Sequence, residues 1–459
     1  MVSGTLDNKS LLKELKEEKF DVGITELFDF YAVFEAIGLK NIIGTHSSAI
    51  MEGTLDDKRL LKQLKEEKFD VGITELFDFY AVFEAIGLKN IIGTHSSAIM
   101  EGTSYAIGAP VIPSFMPASQ GVTDDSTTFA NRAVNMMFTA TSWYFQVAAA
   151  SVVEDVMVEK LANSITPVWA VVSNISFILT NTEPLLEFAR PTLHNIVDIG
   201  GIGVHEPKSL DENWNSILDL RHRNVLLSFG SVAHCKFMPL EMKTAIVETI
   251  KSFPDVTFIW KYEEPEDAPF AHGVENLFLS KWTPQNDLLA DDRLTVFVTH
   301  GGAGSLLESA TRGKPMIVVP LFGDQIRNAK LIVKFGLGIM LNKQDLLDSN
   351  EMSKAIGEIL NDKRYQNAAH RIRDLLANQS SWRERKLLKT VEMVAEFGEM
   401  PELRVAGRSL GIIAYYNLDI WFLIVILLMF VVYFLLLIIC LLFGKFLGST
   451  GSTIKIKTH

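Results

Sequence analysis

The sequence has 459 residues, of which 48% are hydrophobic and 21% are charged, and its formal net charge is −12. This composition is typical of a globular chain long enough for two domains, and it excludes a disordered protein. The acidic balance argues against nucleic acid as a partner, because non-specific binding requires a basic surface. The two cysteines, Cys235 and Cys440, fall in a soluble region and an apolar run, so we expect neither a disulfide nor a zinc site.

The N-terminal part of the chain contains a duplicated block. Residues 4–52 recur as residues 53–101, and the copies differ at three positions, Asn8/Asp57, Ser10/Arg59 and Glu14/Gln63. The start has no apolar segment typical of a signal peptide, so we expect the natural start of this region to be missing. The second copy continues into the rest of the chain and is assigned the native place. Residues 1–52 are then a displaced copy, which either docks where N-terminal strands belong or stays loosely attached.

Residues 53–205 are predicted to form a partial N-terminal α/β domain. The second copy alternates between helix and strand, with a charged helix at Leu60–Lys68, strands at Phe69–Thr74 and Asn90–Gly93 and a helix at Leu76–Ile86 between them. Asp56 or Asp57 is available to cap the first helix. The proline-containing segment Thr103–Met137 is predicted as a loop. It leads into apolar helices near Trp143–Leu161, which would either line a substrate pocket or touch a membrane.

Residues 206–400 alternate more regularly and are predicted to form a complete α/β domain. The strands are predicted at Asn224–Ser228, Val256–Lys261, Val296–Thr299 and Met316–Pro320, and the helices at Leu240–Phe253, Ser305–Gly313 and Gln325–Phe335. Such alternation indicates a parallel sheet covered by helices on both faces. Ligands of these sheets bind outside the carboxyl ends of the strands.

A glycine-rich turn follows one of these predicted strands. The sequence His300-Gly301-Gly302-Ala303-Gly304-Ser305 joins the strand to a helix. Glycines allow the backbone to approach a diphosphate closely, and the helix that follows presents free N–H groups and a partial positive charge. His300 and Ser305 could donate to phosphate oxygens, and Glu308, one turn later, could accept from ribose hydroxyls.

The C-terminus carries an uncharged run of 23 residues, Trp421–Phe443. A helix of about 20 apolar residues spans a bilayer, so residues 421–443 are predicted as a transmembrane helix after a juxtamembrane segment, residues 401–420. Lysines follow the run, which places the tail, residues 444–459, in the cytosol and the domains in the lumen. Lys455 and Lys457 resemble a dilysine retrieval signal, which predicts the endoplasmic reticulum membrane.

The segments around the glycine-rich turn carry a resemblance to a known family. Trp282-Thr-Pro-Gln285-Asn286 precedes the turn, and Phe322-Gly-Asp324-Gln325 follows it. In this order and spacing they resemble the signature of the UDP-glycosyltransferase family, especially its animal UDP-glucuronosyltransferase branch and its nematode members. The resemblance extends from about residue 53 to the C-terminus. It implies the GT-B fold, with two facing Rossmann-like domains, of which the N-terminal one is truncated here.

The resemblance implies a role for each matching residue in holding a UDP-sugar. Trp282 would stack on uracil with Gln285 near it, and Glu308 would bind ribose. The diphosphate would be held by Ser231, His300, Gly302, Ala303, Gly304 and Ser305, and the hydroxyls of the sugar by Asp324 and Gln325. Three simpler interpretations stay open, namely that Trp282 is a core residue, that Asp324 caps the next helix, and that Lys261 only neutralises a surface rather than adding charge beside the diphosphate.

The family's reaction needs a base that this sequence does not supply at the expected place. The sequence contains no Asp-x-Asp, which fits a mechanism without a metal ion, and UDP-sugar is a co-substrate, so no cofactor is expected. The acceptor hydroxyl is deprotonated in the family by a histidine that an acid orients, and the sugar is transferred with inversion. Glu75 matches that acid, with Asp78 as a fallback. His46 and His95 do not match the histidine and are interpreted as non-catalytic.

Two hypotheses of function follow from these patterns. The first is an enzyme that transfers glucuronic acid or a hexose from its UDP derivative to a small lipophilic acceptor, as in detoxification. The second is a non-catalytic, membrane-bound protein that binds UDP-sugars and forms homo- or hetero-oligomers with full-length relatives. In both hypotheses residues 206–400 bind the donor and membrane lipid surrounds residues 421–443.

Overall fold

The computed structural model describes residues 24–26, 43–45, 55–75, 80–161, 165–378 and 380–450. The chain divides into two compact units, with the boundary between Arg404 and Val405. The strands, in chain order, are β1 Ile24–Glu26, β2 Ile43–Thr45, β3 Gly72–Glu75, β4 Ile91–His95, β5 Phe177–Thr180, β6 Ile196–Asp198, β7 Arg223–Ser228, β8 Val256–Lys261, β9 Leu277–Ser280, β10 Leu294–Thr299, β11 Met316–Val318 and β12 Gly338–Met340.

The helices of the first unit are α1 Lys58–Glu67, α2 Tyr80–Ile86, α3 Glu101–Ile107, α4 Phe129–Leu161, α5 Val168–Asn174, α6 Glu212–Leu218, α7 Leu240–Lys251, α8 Gln285–Ala290, α9 Ala303–Arg312, α10 Gln325–Lys334, α11 Ser349–Asn361, α12 Lys363–Ala377 and α13 Ser380–Phe397. Short 3-10 helices lie at Pro184–Leu186, Cys235–Phe237, Pro269–Ala271, Lys343–Leu347 and Pro401–Leu403. The predicted cap of the first helix is confirmed, because the Asp57 side chain accepts the N–H groups of Arg59 and Leu60.

The N-terminal sheet consists of β3, β4, β5 and β6 in that order, and all four strands are parallel. The first copy of the duplicated block contributes a separate parallel pair, in which Ile24 of β1 lies opposite Ile43 of β2. This is the register of the equivalent residues in the second copy, Ile73 and Ile92. Strand β1 lies beside β3. The two described strands of the first copy form a sheet of their own beside β3, and the docking of the copy as a whole stays a prediction.

Helix α4 corrects the prediction of a loop over Thr103–Met137. That segment contains most of α3 and the start of α4, which begins at Phe129 rather than near Trp143. In the first half of α4 the buried face is polar, and Asn135 on this face donates to two carbonyl groups of the preceding segment. A helix that buries polar side chains has no apolar stripe, and for that reason the hydrophobic pattern did not reveal where it begins.

Helix α13 covers the opposite side of the N-terminal sheet. Its residues Leu387, Val391 and Val394 share one buried cluster with Ile73 and Ile92. The helix that follows α12 in sequence therefore returns from the C-terminal half to the N-terminal half and closes its core. The two halves consequently pack as parts of one compact unit.

The C-terminal sheet is parallel and has the strand order β12-β11-β10-β7-β8-β9. Every strand predicted in this region is present, with ends that differ by a few residues, and β9 and β12 are additional. From β7 the chain builds outward to β9, then returns to the centre and builds outward from β10 to β12. The order therefore reverses between β7 and β10, where open α/β sheets bind ligands. The α/β fold class predicted from the sequence is confirmed.

The segment between β5 and β6, called the connector below, extends from the N-terminal sheet and contacts the C-terminal half of the first unit. Its 3-10 helix, Pro184–Leu186, packs against α12 of the C-terminal half. Leu186 is 3% exposed and belongs to the apolar cluster that contains Leu226 of β7 and Phe297 of β10. One side chain from the N-terminal half is thus part of the core of the C-terminal half.

The second unit contains the helices α14, Ile412–Tyr415, and α15, Leu418–Thr450. A short 3-10 helix, Ala406–Ser409, precedes them. Within α15, residues Leu418–Phe443 are long and apolar enough to cross a membrane, and their most apolar stretch of 18 residues has a mean hydropathy of 3.5. Their side chains are exposed in the isolated chain, which is what a lipid-facing helix requires. The predicted span, Trp421–Phe443, lies within this candidate. Cys235 and Cys440 are both free thiols, as predicted.

We expect Leu186→Ala to lower the free energy of unfolding by about 2–5 kcal/mol, because it leaves a cavity in a core shared by both halves. Chemical denaturation of the detergent-solubilised chain would measure this loss. Leu347→Ala is a matched control, since Leu347 is 52% exposed. An equal effect of the two substitutions would contradict the connector's place in the core.

His95, at the end of β4, makes the stability of the N-terminal half sensitive to acid. Burial and then the charge of Arg190 lower the pKa of His95 from 6.5 to about 3. The unfolded chain therefore binds a proton between these values that the folded chain does not bind, and stability falls as the pH decreases below 6.5. We expect His95→Gln to remove about 1.5 kcal/mol of the loss between pH 6.5 and 5. Identical losses in denaturation experiments on both chains would disprove this.

Candidate nucleotide-sugar site

The site is built where β7 and β10 lie side by side at the centre of the C-terminal sheet. The strands pair in parallel up to their last residues, with Ser228 opposite Thr299. Their carboxyl ends are thus adjacent, and the turns that follow them meet. The turn after β7 carries Gly230 and Ser231, and the turn after β10 carries His300. Two segments more than 60 residues apart in sequence are therefore brought together by strand pairing alone.

The ring of His300 lies between two glycines. A Cβ atom on Gly230 would lie 2.7 Å from the ring, and a Cβ atom on Gly302 would also lie 2.7 Å from it. Both distances are shorter than any normal contact, so side chains at these positions would displace the ring. Gly230 also has a φ of +86°, which favours glycine. The glycines therefore serve the placement of His300 as well as the approach of a ligand.

Helix α9 begins directly after this turn with its first amides available. Gly302 is the N-cap and has no side chain to accept the N–H groups of the first turn. The amides of Ala303, Gly304 and Ser305 therefore point out of the helix end, where the helix dipole adds a partial positive charge. An uncapped N-terminus behind a glycine turn is suited to an anionic group such as a diphosphate.

His300 is uncharged near neutral pH. Burial and the positive charge of Lys261 lower the pKa of His300 from 6.5 to about 4. Lys261 itself donates to the carbonyl oxygen of Gly230 at 2.7 Å, and its Nζ lies 5.2 Å from the centre of the Trp282 ring. Burial lowers the pKa of Lys261. Lys261 is thus a partly buried group beside the turn, and its contribution of charge next to the diphosphate stays a prediction.

A pocket of about 140 Å³ opens beside these turns. It is lined by Gly203, His205, Ser228, Gly230, Ser231, Lys261, Trp282, Thr283, Pro284, Gln285, Asn286, Asp287, Ser305 and Glu308. Trp282 is 61% exposed, so the interpretation of this residue as part of the core is wrong. One side of its ring faces Lys261, and the exposed area of the ring is available to stack on a planar base.

Three of the predicted residues form a hydrogen-bonded group in the pocket wall. Gln285 Nε2 lies 2.6 Å from Glu308 Oε2 and 3.2 Å from Ser305 Oγ. Burial raises the pKa of Glu308. The carboxylate is held by an amide rather than by a cation, so it retains acceptor capacity for a hydroxyl-bearing ligand. This arrangement is suited to a nucleoside, with an aromatic ring and a buried acceptor on the same pocket.

Asp324 and Gln325 lie at the start of α10 and do not line this pocket. Asp324 occupies the N-cap position but makes no capping bond, which excludes the simpler interpretation of its role. Its carboxylate instead accepts from Asn328 at 2.8 Å, and the same amide group donates to the carbonyl of Gly301 at 2.9 Å. Burial raises the pKa of Asp324. Asn328 therefore links the start of α10 to the glycine turn.

Gln325 is also committed to the local backbone. Its Oε1 accepts the N–H groups of Leu321 and Phe322, at 2.8 and 3.1 Å. The side chain thereby fixes the loop that precedes α10. Its predicted contact with a sugar hydroxyl stays a prediction.

Glu75 lies in the N-terminal sheet and is not part of the pocket. Its carboxylate accepts the N–H of Ser96 at 3.1 Å, and its Oε1 lies 3.8 Å from Nδ1 of His95. The other ring nitrogen of His95 lies 3.1 Å from Thr103 Oγ1, and the histidine is 2% exposed. The interpretation of His95 as non-catalytic fits this burial. Asp78 and His46 lie outside the described residues.

The segment that leads from the N-terminal half into the pocket was not predicted from the sequence. Gly203 and His205 line the pocket, and the carbonyl of His205 accepts from Asn286 at 3.1 Å and from Arg312. Arg312 also donates to the side chain of Asn286. Asn286 stands in the quoted motif, but nothing in the sequence indicated that it holds a segment 81 residues away.

Comparison with known proteins places this geometry in a family. The family model described as UDP-glucoronosyl and UDP-glucosyl transferase matches residues 29–453. A Caenorhabditis elegans protein named as a UDP-glucuronosyltransferase, ugt-47, is 33% identical over 267 residues, which are 57% of this chain and 50% of that protein. Mouse UDP-glucuronosyltransferase 1A9 is 30% identical over 319 residues, which are 68% of this chain and 58% of that protein. The chain thus spans about half the length of the curated relatives it matches.

The fold has a counterpart among solved structures. The crystal structure of the glycotransferase of kitacinnamycin superimposes with a TM-score of 0.55 at 19% identity, and the match covers 85% of this chain and 95% of that one. At this identity the likeness shows the fold alone, and it supports the two-domain GT-B architecture. From the family model, which matches nearly the whole chain, we conclude that this protein belongs to the UDP-glucoronosyl and UDP-glucosyl transferase family.

Proposed function

We propose that the chain binds a UDP-sugar in the C-terminal half and transfers the sugar to a hydroxyl group of a small lipophilic acceptor. The observation that carries the proposal is that the uncapped N-terminus of α9, which follows the glycine-rich turn, lies beside the pocket of Trp282, Gln285 and Glu308. The first can hold a diphosphate and the second a nucleoside. Relatives named as UDP-glucuronosyltransferases favour glucuronic acid as the transferred sugar.

The chemical contribution of the site would be to stabilise the departing UDP. Negative charge develops on the diphosphate as the bond to the sugar breaks. The amides of α9, the N–H of neutral His300 and the charge of Lys261 are arranged on that side before the reaction, so they need little reorganisation. We propose a transfer with inversion and without a metal ion or cofactor, in which Asp324 and Gln325 orient the sugar.

We further propose that α15 holds the protein in the endoplasmic reticulum membrane, with the first unit in the lumen. The apolar stretch Leu418–Phe443 supports a membrane span. The lysines on its C-terminal side support the orientation. A lipid-soluble acceptor would then reach the protein from the same membrane.

A second candidate is a non-catalytic UDP-sugar-binding protein that assembles with itself or with relatives. One observation favours it. Burial lowers the pKa of His95, the histidine beside Glu75, to about 3, so it is a weak base for deprotonating an acceptor near neutral pH. The two candidates share donor binding and differ in turnover.

For donor binding, we expect His300→Ala to weaken the binding of UDP by about 1.5–3 kcal/mol, the usual value of a hydrogen bond to a charged group. Isothermal titration calorimetry with UDP would measure the change. His222→Ala is the control, because His222 is exposed and precedes β7. It therefore lies at the amino end of the strand, whereas the site lies at the carboxyl end. Unchanged affinity in His300→Ala would exclude the contact with the diphosphate.

Turnover distinguishes the two candidates. The full chain in detergent would be incubated with UDP-glucuronate or UDP-glucose and a phenolic acceptor, with and without EDTA, and UDP release would be measured. We expect release that EDTA does not reduce, since the proposed site uses no metal ion. Binding of UDP without release would support the non-catalytic candidate, and failure to bind UDP would exclude both.

A further inference from the structure

A buried ion pair joins the connector of the N-terminal half to the helix that carries Asp324 and Gln325. Glu187, one residue after the connector's 3-10 helix, accepts two hydrogen bonds from Arg327 of α10, at 3.0 and 2.5 Å. The side chains are 10% and 3% exposed. Two parallel bonds between a guanidinium and a carboxylate fix the relative orientation of their backbones as well as their distance.

A second group of contacts fixes the far end of α10. The guanidinium of Arg327 and the ammonium of Lys334 both lie over the ring of Phe188, at 5.2 and 4.9 Å from its centre. Lys334 also pairs with Asp125 of the N-terminal half. Arg327 and Lys334 are seven residues apart, so they lie on one face of the helix. Helix α10 is therefore attached to the N-terminal half along two turns.

The attachment is transmitted directly to the proposed sugar end of the site. Arg327 lies in the first turn of α10, two residues after Gln325 and three after Asp324. Through Asn328, the same turn is bonded to the carbonyl of Gly301. A shift of α10 would therefore move Asp324 and Gln325. The pocket with Trp282 and Glu308 contains no residue of α10, so the same shift would reach the nucleoside only indirectly, through the glycine turn.

Stability alone does not account for such a pair. Removing two charges from water costs about as much free energy as their attraction returns, and apolar replacements of buried pairs are often neutral. What a bidentate buried pair does provide is a single geometry, which apolar packing provides less well. The value of this pair would thus lie in position rather than in stability.

We propose that Glu187 and Arg327 are positioning residues that make recognition of the sugar part of a UDP-sugar, but not of UDP, depend on docking of the N-terminal half. The inference rests on the proposed function, since it requires that α10 faces the sugar. It assigns the connector a role in distinguishing a complete donor from the spent nucleotide. UDP would be held by the C-terminal half together with Gly203 and His205 of the segment before it, whereas the sugar would be held only when the connector is docked on α10.

The test compares the affinities for UDP, UDP-glucose and UDP-glucuronate in calorimetric titrations of the full chain in detergent. Because removal of one partner would leave an unpaired buried charge, the variant is the double replacement Glu187→Leu with Arg327→Met. We expect its affinity for UDP to stay within about twofold of the parent chain, while the additional affinity conferred by the sugar falls roughly fivefold or more, in the usual range of coupling between sites. The reversed pair, Glu187→Arg with Arg327→Glu, should restore part of this additional affinity.

A second buried ion pair, between the connector and α13, provides the control. Arg383 of α13 donates to Glu183 at 3.0 and 2.7 Å, so this pair attaches the connector to α13 rather than to α10. Glu183→Leu with Arg383→Met should leave the affinity ratio of UDP-sugar to UDP unchanged, even where it lowers the melting temperature. An equal loss in both double variants would overturn the inference, as would a parent chain that binds UDP and UDP-sugars equally well. Failure of the parent chain to bind UDP would instead refute the proposed function itself.

Discussion

The pairing of β7 with β10 is the constraint on which the site depends. Neighbouring parallel strands place their carboxyl ends together, and here those ends carry the two turns that enclose His300. The approach is so close that neither Gly230 nor Gly302 has room for a Cβ atom. Successive strands are added in opposite directions on the two sides of this pair. The helices that follow β7 and β10 therefore splay apart and leave space for a ligand. The nucleotide pocket is thus a consequence of strand order before it is a consequence of any particular side chain.

Much of this half could be predicted from the sequence, because its signals are local. Regular alternation of apolar and polar segments gave strands such as Val256–Lys261, and the glycine turn with its flanking motif gave most of the pocket. The predictions were poorer where tertiary contacts determine structure. Helix α4 buries amides and hydroxyls, so its start is invisible to a search for apolar periodicity. The short strands β9 and β12 complete the sheet with few residues of their own and were missed for a similar reason.

Long-range electrostatic contacts were beyond sequence analysis altogether. Glu187 and Arg327 are separated by 140 residues, and each taken alone is an ordinary charged residue of the kind usually found at a surface. The same holds for Glu183 and Arg383. Only the structure shows that Arg327, Glu183 and Arg383 are buried and Glu187 nearly so, and that the two pairs attach the connector to two different helices. A sequence motif can identify a nucleotide pocket. The ion pairs that align the pocket with the other domain join residues far apart in sequence, so no local motif predicts them.

The matched register of β1–β2 and β3–β4 has a consequence for how the chain folds. The copies differ only before their first strand, so strand contacts alone cannot decide which copy enters the N-terminal sheet. Chain connectivity can decide it. In the observed arrangement the loop of residues 96–100 joins β4 to α3. If the first copy supplied these strands instead, the whole second copy would lie in that loop and make it about ten times longer. Closing the longer loop costs about 2 kcal/mol more, since the cost grows with the logarithm of loop length. This difference in chain entropy favours the observed threading over the nearly identical alternative and, taken alone, corresponds to a minor folding isomer of a few per cent.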